Sequence, residues 1–139
     1  MAEGLRFAQL AGWRIIAEPV ALDDASWPAG AEVVRISPDD AFVVSPTREG
    51  STSPTVPGDP FAIVTPEHGF AGAFVDAGHL ELLALHHIEW QLPEQRPALA
   101  QGQIAGVPAK LVLHADGSAL LLVACAARRE LEERLEGGQ

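Results

Sequence analysis

Two apolar runs, Val107 to His114 and Ala119 to Cys125, stand on either side of an Asp116-Gly117 step, and no other feature constrains the fold as much. Asp-Gly between apolar runs is the preferred two-residue connection of type I′, because both central residues must adopt positive φ. The segment therefore predicts a β-hairpin. In that register Ala119 stands opposite His114 and Cys125 opposite Pro108. Leu111, Leu113, Leu120 and Leu122 then share one face, while Val112, Leu121 and Val123 share the other with Lys110 and His114. Both faces are largely apolar. One helical layer covers only one of them, so the second must meet the N-terminal strands, lie in a central layer or meet another chain. Lys110, Val112, His114, Leu121 and Val123 are the candidate interface on this reading.

The rest of the chain reads as short strands and two helices. Trp13 to Val20 predicts a strand closed by Pro19, followed by a turn-forming stretch from Asp23 to Gly30. Glu32 to Ile36 and Ala41 to Ser45 are rich in β-branched and apolar residues and are joined by Ser37-Pro38-Asp39-Asp40, which predicts a second hairpin. Pro46 to Pro60 has four prolines and two glycines among Ser and Thr and no apolar period, so it predicts a loop. Phe61 to Val64 and Phe70 to Val75 predict strands.

Asp76 can cap a helix in which Leu80, Leu83, Ala84 and His87 recur at helical spacing, with Leu82, Leu85 and Ile88 widening the apolar face. Ala126 to Leu135 predicts the last helix, with Ala127, Leu131 and Leu135 on one side and i,i+4 ion pairs on the others. The C-terminal half is thus strand, helix, strand, strand, helix. The fold class is α+β, an antiparallel or mixed sheet with two helices on one face.

At 139 residues and 47% hydrophobic content the chain is long enough for one ordinary core, which predicts a single domain over 1–139. Nine Lys and Arg against 19 Asp and Glu leave a net charge of -10, which repels a phosphate backbone or an anionic membrane surface. No apolar run approaches the roughly 18 residues of a membrane span. The first ten residues contain Glu3, Arg6 and Gln9 and lack the pattern of a secretory signal, so the expected location is cytoplasmic. Cys125 is the only cysteine, which excludes an internal disulfide.

Geometry argues against sequence-local chemistry. His86 and His87 are adjacent on a helix and diverge by about 100°, while His79 and His87 lie about 12 Å apart along its axis. No metal site is assigned to them or to His68 and His114. Cys125 sits near Arg128 and Arg129, an environment that favours a thiolate. Its nearest sequence-local base, His114, is about 20 Å away along the predicted strand. The Gly102, Gly106 and Pro108 segment matches neither a dinucleotide-binding fingerprint nor a P-loop, and glycine there marks turns or close backbone approach. No carboxylate pair is placed by a catalytic motif. No catalytic residue and no cofactor are assigned.

Several phrases carry a family resemblance: Arg35-Ile36-Ser37-Pro38-Asp39-Asp40-Ala41-Phe42-Val43-Val44, Phe74-Val75-Asp76, Gly102 to Pro108, and the closing strand and helix from Leu120 to Leu135. In these and in the order of its elements the chain resembles the gamma subunit of heterotetrameric sarcosine oxidase, within the aminomethyltransferase-like (glycine cleavage T-protein) folate-binding superfamily. The chain is shorter than such a subunit, and its Pro/Ser-rich loop at 46–60 replaces more ordered structure. The resemblance implies a non-catalytic accessory subunit beside larger flavin- and folate-handling chains, with cofactors held elsewhere in the complex. The expected partner is a protein or a second copy, with no nucleic acid and no membrane. A stand-alone binder of a folate-like or other small ligand is the alternative, using Trp13, Trp27 and Trp90 for stacking and Arg35 or Arg96 for an anion.

Overall fold

A computed structural model describes residues 5–45 and 52–137. In chain order the elements are β1 (Ala8–Gln9), β2 (Gly12–Ile16), α1 (Pro19–Asp23), β3 (Glu32–Ser37), β4 (Asp40–Val44), β5 (Ile63–Glu67) and β6 (Phe70–Val75). They continue with α2 (Ala77–His87), β7 (Ala98–Ile104), β8 (Val107–Leu113), β9 (Ala119–Ala124), a single 3₁₀ turn at Cys125–Ala127 and α3 (Arg128–Gly137). The fold is α+β, with every strand pair antiparallel. The chain divides into two compact units, one of Met1–Gln9 with Gly69–Gln139 and one of Leu10–His68. Length suggests one core, yet the buried side chains gather in two clusters, one in each unit.

The larger unit holds a five-stranded sheet in the order β1-β6-β9-β8-β7. Its core is built from alternate residues of the strands, among them Ala71, Ala73 and Val75 of β6, Leu111 and Leu113 of β8, and Leu121 and Val123 of β9. Leu80 and Leu83 of α2 and Leu131 of α3 belong to the same cluster, so both helices cover one face of the sheet as the pattern predicts. Asp76 does cap α2: its carboxylate accepts a bond from the His79 amide at 2.8 Å. Arg128 pairs with Glu132, and Arg134 with Glu130, along α3.

β7 has no counterpart in the sequence reading. Its Gln101-Gly102-Gln103 centre lacks the β-branched alternation of a strand. It is specified by tertiary contacts instead. The Trp90 ring lies against Gly102, where a Cβ would fall 2.5 Å from the indole, and its Nε1–H donates to the Gln103 carbonyl at 2.8 Å. The indole thus packs on β7, the edge strand of its sheet, and satisfies one of its carbonyls. Ala105 (φ 52°) and Gly106 (φ 81°) then form the tight turn into β8.

The smaller unit is a four-stranded sheet in the order β3-β4-β2-β5. The predicted hairpin of β3 and β4 is present, with a register irregularity between Arg35 and Ser37. Ile15, Ala41 and Val43 point to one side, where Ala21 and Leu22 of α1 and Val56 join them. The strand predicted over Trp13 to Val20 is β2 and ends at Ile16, because Pro19 opens α1, a position where its missing N–H costs no hydrogen bond. Of the loop expected over 46–60, residues 46–51 lie outside the described residues, and 52–60 is irregular but anchored by buried Val56. β5 and β6, adjacent in sequence, belong to different sheets.

Candidate functional site

The hairpin of β8 and β9 differs from its predicted register by one residue. Its loop is Ala115-Asp116-Gly117: the His114 amide donates to the Ser118 carbonyl at 2.9 Å, and Gly117 closes the loop at φ 94°. Ala119 therefore stands opposite Leu113 and Leu121 opposite Leu111. A one-residue slip moves a whole strand's side chains to the other face. Leu121 and Val123 accordingly join Leu111 and Leu113 in the helix-covered core, while Lys110 and Val112 share the second face with Leu120 and Leu122. The five candidate residues do not form one surface. Lys110 and Val112 remain together, His114 lies at the loop, and Val112 and Leu122 are buried. Lys110 lies 5.9 Å from the centre of the Phe70 ring.

At that loop His114, Ser118 and Asp116 are brought together. His114 Nδ1 is 3.0 Å from Ser118 Oγ, and the Asp116 carboxylate accepts from Ser118 Oγ at 2.7 Å and from its amide at 2.9 Å. These bonds, with the hydroxyl first, hold the Asp116 carboxyl below its usual range. The three residue types are those of a hydrolase triad, but their connectivity is not. The carboxylate binds the serine instead of orienting the imidazole, and Ser118 is only 6% exposed. The group closes a turn.

Three of the remaining histidines, His79, His86 and His87, are spread along α2, and His68 lies between β5 and β6. His79 Nδ1 lies 3.7 Å from the Asp76 carboxylate at the start of the helix, and His86 and His87 have ring centres 6.3 Å apart at its end. Burial and then the neighbouring His86 push the His87 pKa down. Among the described residues no group of three or more His, Cys, Asp or Glu side chains is placed to hold a metal ion. Cys125 is half-buried, beyond the end of β9, and its amide donates to the Gly69 carbonyl at 2.8 Å.

The aromatic and cationic residues considered for a ligand are dispersed. Trp13 and Trp27 pack against the core of the smaller unit, and Trp90 packs on β7 in the larger one. Arg35 pairs with Asp23 at 2.9 Å and donates to the Pro38 carbonyl, while Arg96 donates to the Pro93 carbonyl. Each has a local partner that fixes its position.

A different surface is left open. α2 is apolar on opposite sides: Leu80 and Leu83 point into the core, whereas Leu82 and Leu85 are 55% and 75% exposed. They are three residues apart, so they neighbour each other on the helix surface. A helix that is apolar all round is normally buried all round. The sequence contains the signal, since Leu82 and Leu85 sit opposite Leu80 and Leu83 at 100° per residue, but a broad apolar face absorbs them unless its width is measured. A second exposed group, Phe61 and Ile63 with Ile16 paired across from Ile63, lies on the smaller unit. The chain matches no family model and no curated protein sequence.

Proposed function

We propose that this chain is a non-catalytic accessory subunit or protein-interaction domain that engages its partner through the outer face of α2. The observation that carries the proposal is the exposure of Leu82 and Leu85 on a helix whose opposite side is already in the core. Burying two leucines stabilises a complex by about 1.5–3 kcal/mol each. Their exposure is unfavourable for solubility unless a partner uses it.

The resemblance to the gamma subunit of a flavin-dependent amine oxidase complex supports the same role and names a class of partner: larger chains that hold flavin and folate. In such an assembly this chain contributes surface, and the chemistry resides elsewhere. Native mass measurement of the protein purified from its source tests the reading. A heteromeric complex is expected, and Leu82→Ser with Leu85→Ser should release this chain from it while its circular dichroism stays unchanged. A strictly monomeric protein, or a complex indifferent to both substitutions, overturns it.

A further inference from the structure

We infer that the partner segment seated on α2 is a basic amphipathic helix, an inference that rests on the reading of α2 as the docking face. Leu82 and Leu85 form a short ridge along the helix axis, which a second helix can receive between its own apolar side chains. Glu81 is exposed on α2 next to Leu82, Glu89 is exposed just past the end of the helix, and no Lys or Arg occurs between Asp76 and Gln95. From elsewhere in the fold, Arg134 stands at the His87 end of α2, where it bonds the Ala105 carbonyl and pairs with Glu130. The other titratable groups on the exposed side of α2 are His79 and His86.

Charge decides among the possible occupants. A second copy would bring another chain of net charge -10 and a second set of carboxylates to the same ridge. Nucleic acid and anionic lipid meet the same repulsion. A helix with an apolar stripe flanked by Lys or Arg satisfies both the leucines and the carboxylates, and long-range attraction raises its rate of encounter.

The probe is a synthetic helical peptide of leucine and lysine with one continuous leucine stripe. A leucine–glutamate peptide with the same stripe and a leucine–lysine peptide of scrambled order serve as controls. Titration into the intact protein should show binding of the striped basic peptide alone. Leu82→Ser with Leu85→Ser should weaken it about tenfold or more. Glu81→Gln with Glu89→Gln should weaken it about threefold and flatten its dependence on salt. Equal binding to the serine variant, or equal binding of the acidic or the scrambled peptide, overturns the inference. If the native complex depends on Leu82 and Leu85 but the striped basic peptide does not bind, the partner chemistry is wrong and the docking face stands. If neither depends on these leucines, both readings fall together.

Discussion

Arg14 on β2 holds Asp40 on β4 through two near-parallel bonds, Nε to Oδ1 at 2.6 Å and Nη2 to Oδ2 at 2.8 Å. Its third nitrogen, Nη1, reaches Glu67 on β5 at 3.0 Å, so one side chain ties three neighbouring strands of the smaller unit. The hydrogen bonds it donates to Asp40 are the main reason the guanidinium pKa is raised further above its already high value.

Removing that cation leaves two carboxylates facing each other on one sheet. Arg14→Ala is expected to destabilise the protein by about 1–2 kcal/mol, the part-exposed setting keeping the loss below that of a fully buried pair. Arg14→Lys should recover less than half, because an ammonium cannot reproduce the paired contact. Urea denaturation of the three proteins at neutral pH measures both. For a cation with a raised pKa the stabilisation is present below its unfolded pKa, so Arg14 itself contributes no change between pH 5 and pH 9.

The loop of the long hairpin provides the pH-dependent case. Asp116 has its carboxyl below the ordinary value of 3.8 because Ser118 donates to it twice. A depressed carboxyl stabilises the folded state above its unfolded pKa and loses that contribution as the pH falls through the folded value. Wild type and Asp116→Asn should therefore differ most near neutral pH and converge under acid below pH 4, with Ser118→Ala returning the Asp116 titration toward normal. Carboxyl titration by NMR and thermal unfolding at a series of pH values report the two effects.

The same loop explains which parts of the fold are legible in the sequence. Apolar runs and an Asp-Gly step suffice to place the hairpin, and Asp76 with its periodic leucines suffices to place α2. Whether the loop has two residues or three depends on the His114 and Ser118 backbone bonds, and that single residue decides which side of β9 enters the core. β7 is legible only through a contact with Trp90 that is distant along the chain. The separation of β5 from β6 into different sheets is invisible to local pattern, since both strands carry ordinary strand signals. Exposure of Leu82 and Leu85 is likewise a property of what covers α2, not of its spacing.

Gly102 gives the Trp90 contact a direct test. A methyl group there would fall 2.5–2.8 Å from three indole atoms, too close for the ring to keep its place. Gly102→Ala should cost about 1–3 kcal/mol and shift tryptophan emission to longer wavelength as the indole swings into solvent. A variant with unchanged emission and stability would show that β7 does not depend on this packing.

At the turn between β7 and β8, Ala105 holds positive φ while its amide donates to the His87 carbonyl and its own carbonyl accepts from Arg134, both at 2.9 Å. Those two bonds fix an alanine in a conformation that is unfavourable by roughly 1–2 kcal/mol for a residue with a Cβ. Asn tolerates this region and is the preferred first residue before glycine in such a turn. Ala105→Asn should raise stability by about 0.5–1 kcal/mol, and Gly106→Ala should lower it by at least as much because its φ is 81° and a Cβ would strike Arg134. Thermal melts of the two variants should move in opposite directions.

Leu121 and Leu85 separate the core from the docking face by a single measurement. Leu121 is fully buried between the helices and the sheet, so Leu121→Ala should cost about 2–4 kcal/mol through lost burial and the cavity left behind. Leu85, three-quarters exposed, has little to lose in the isolated chain, and Leu85→Ala should change stability by less than about 0.5 kcal/mol. Partner binding should reverse the order of importance. If Leu85→Ala instead destabilises the isolated protein as much as Leu121→Ala does, α2 is buried on both sides within this chain and its outer face is not available to a partner.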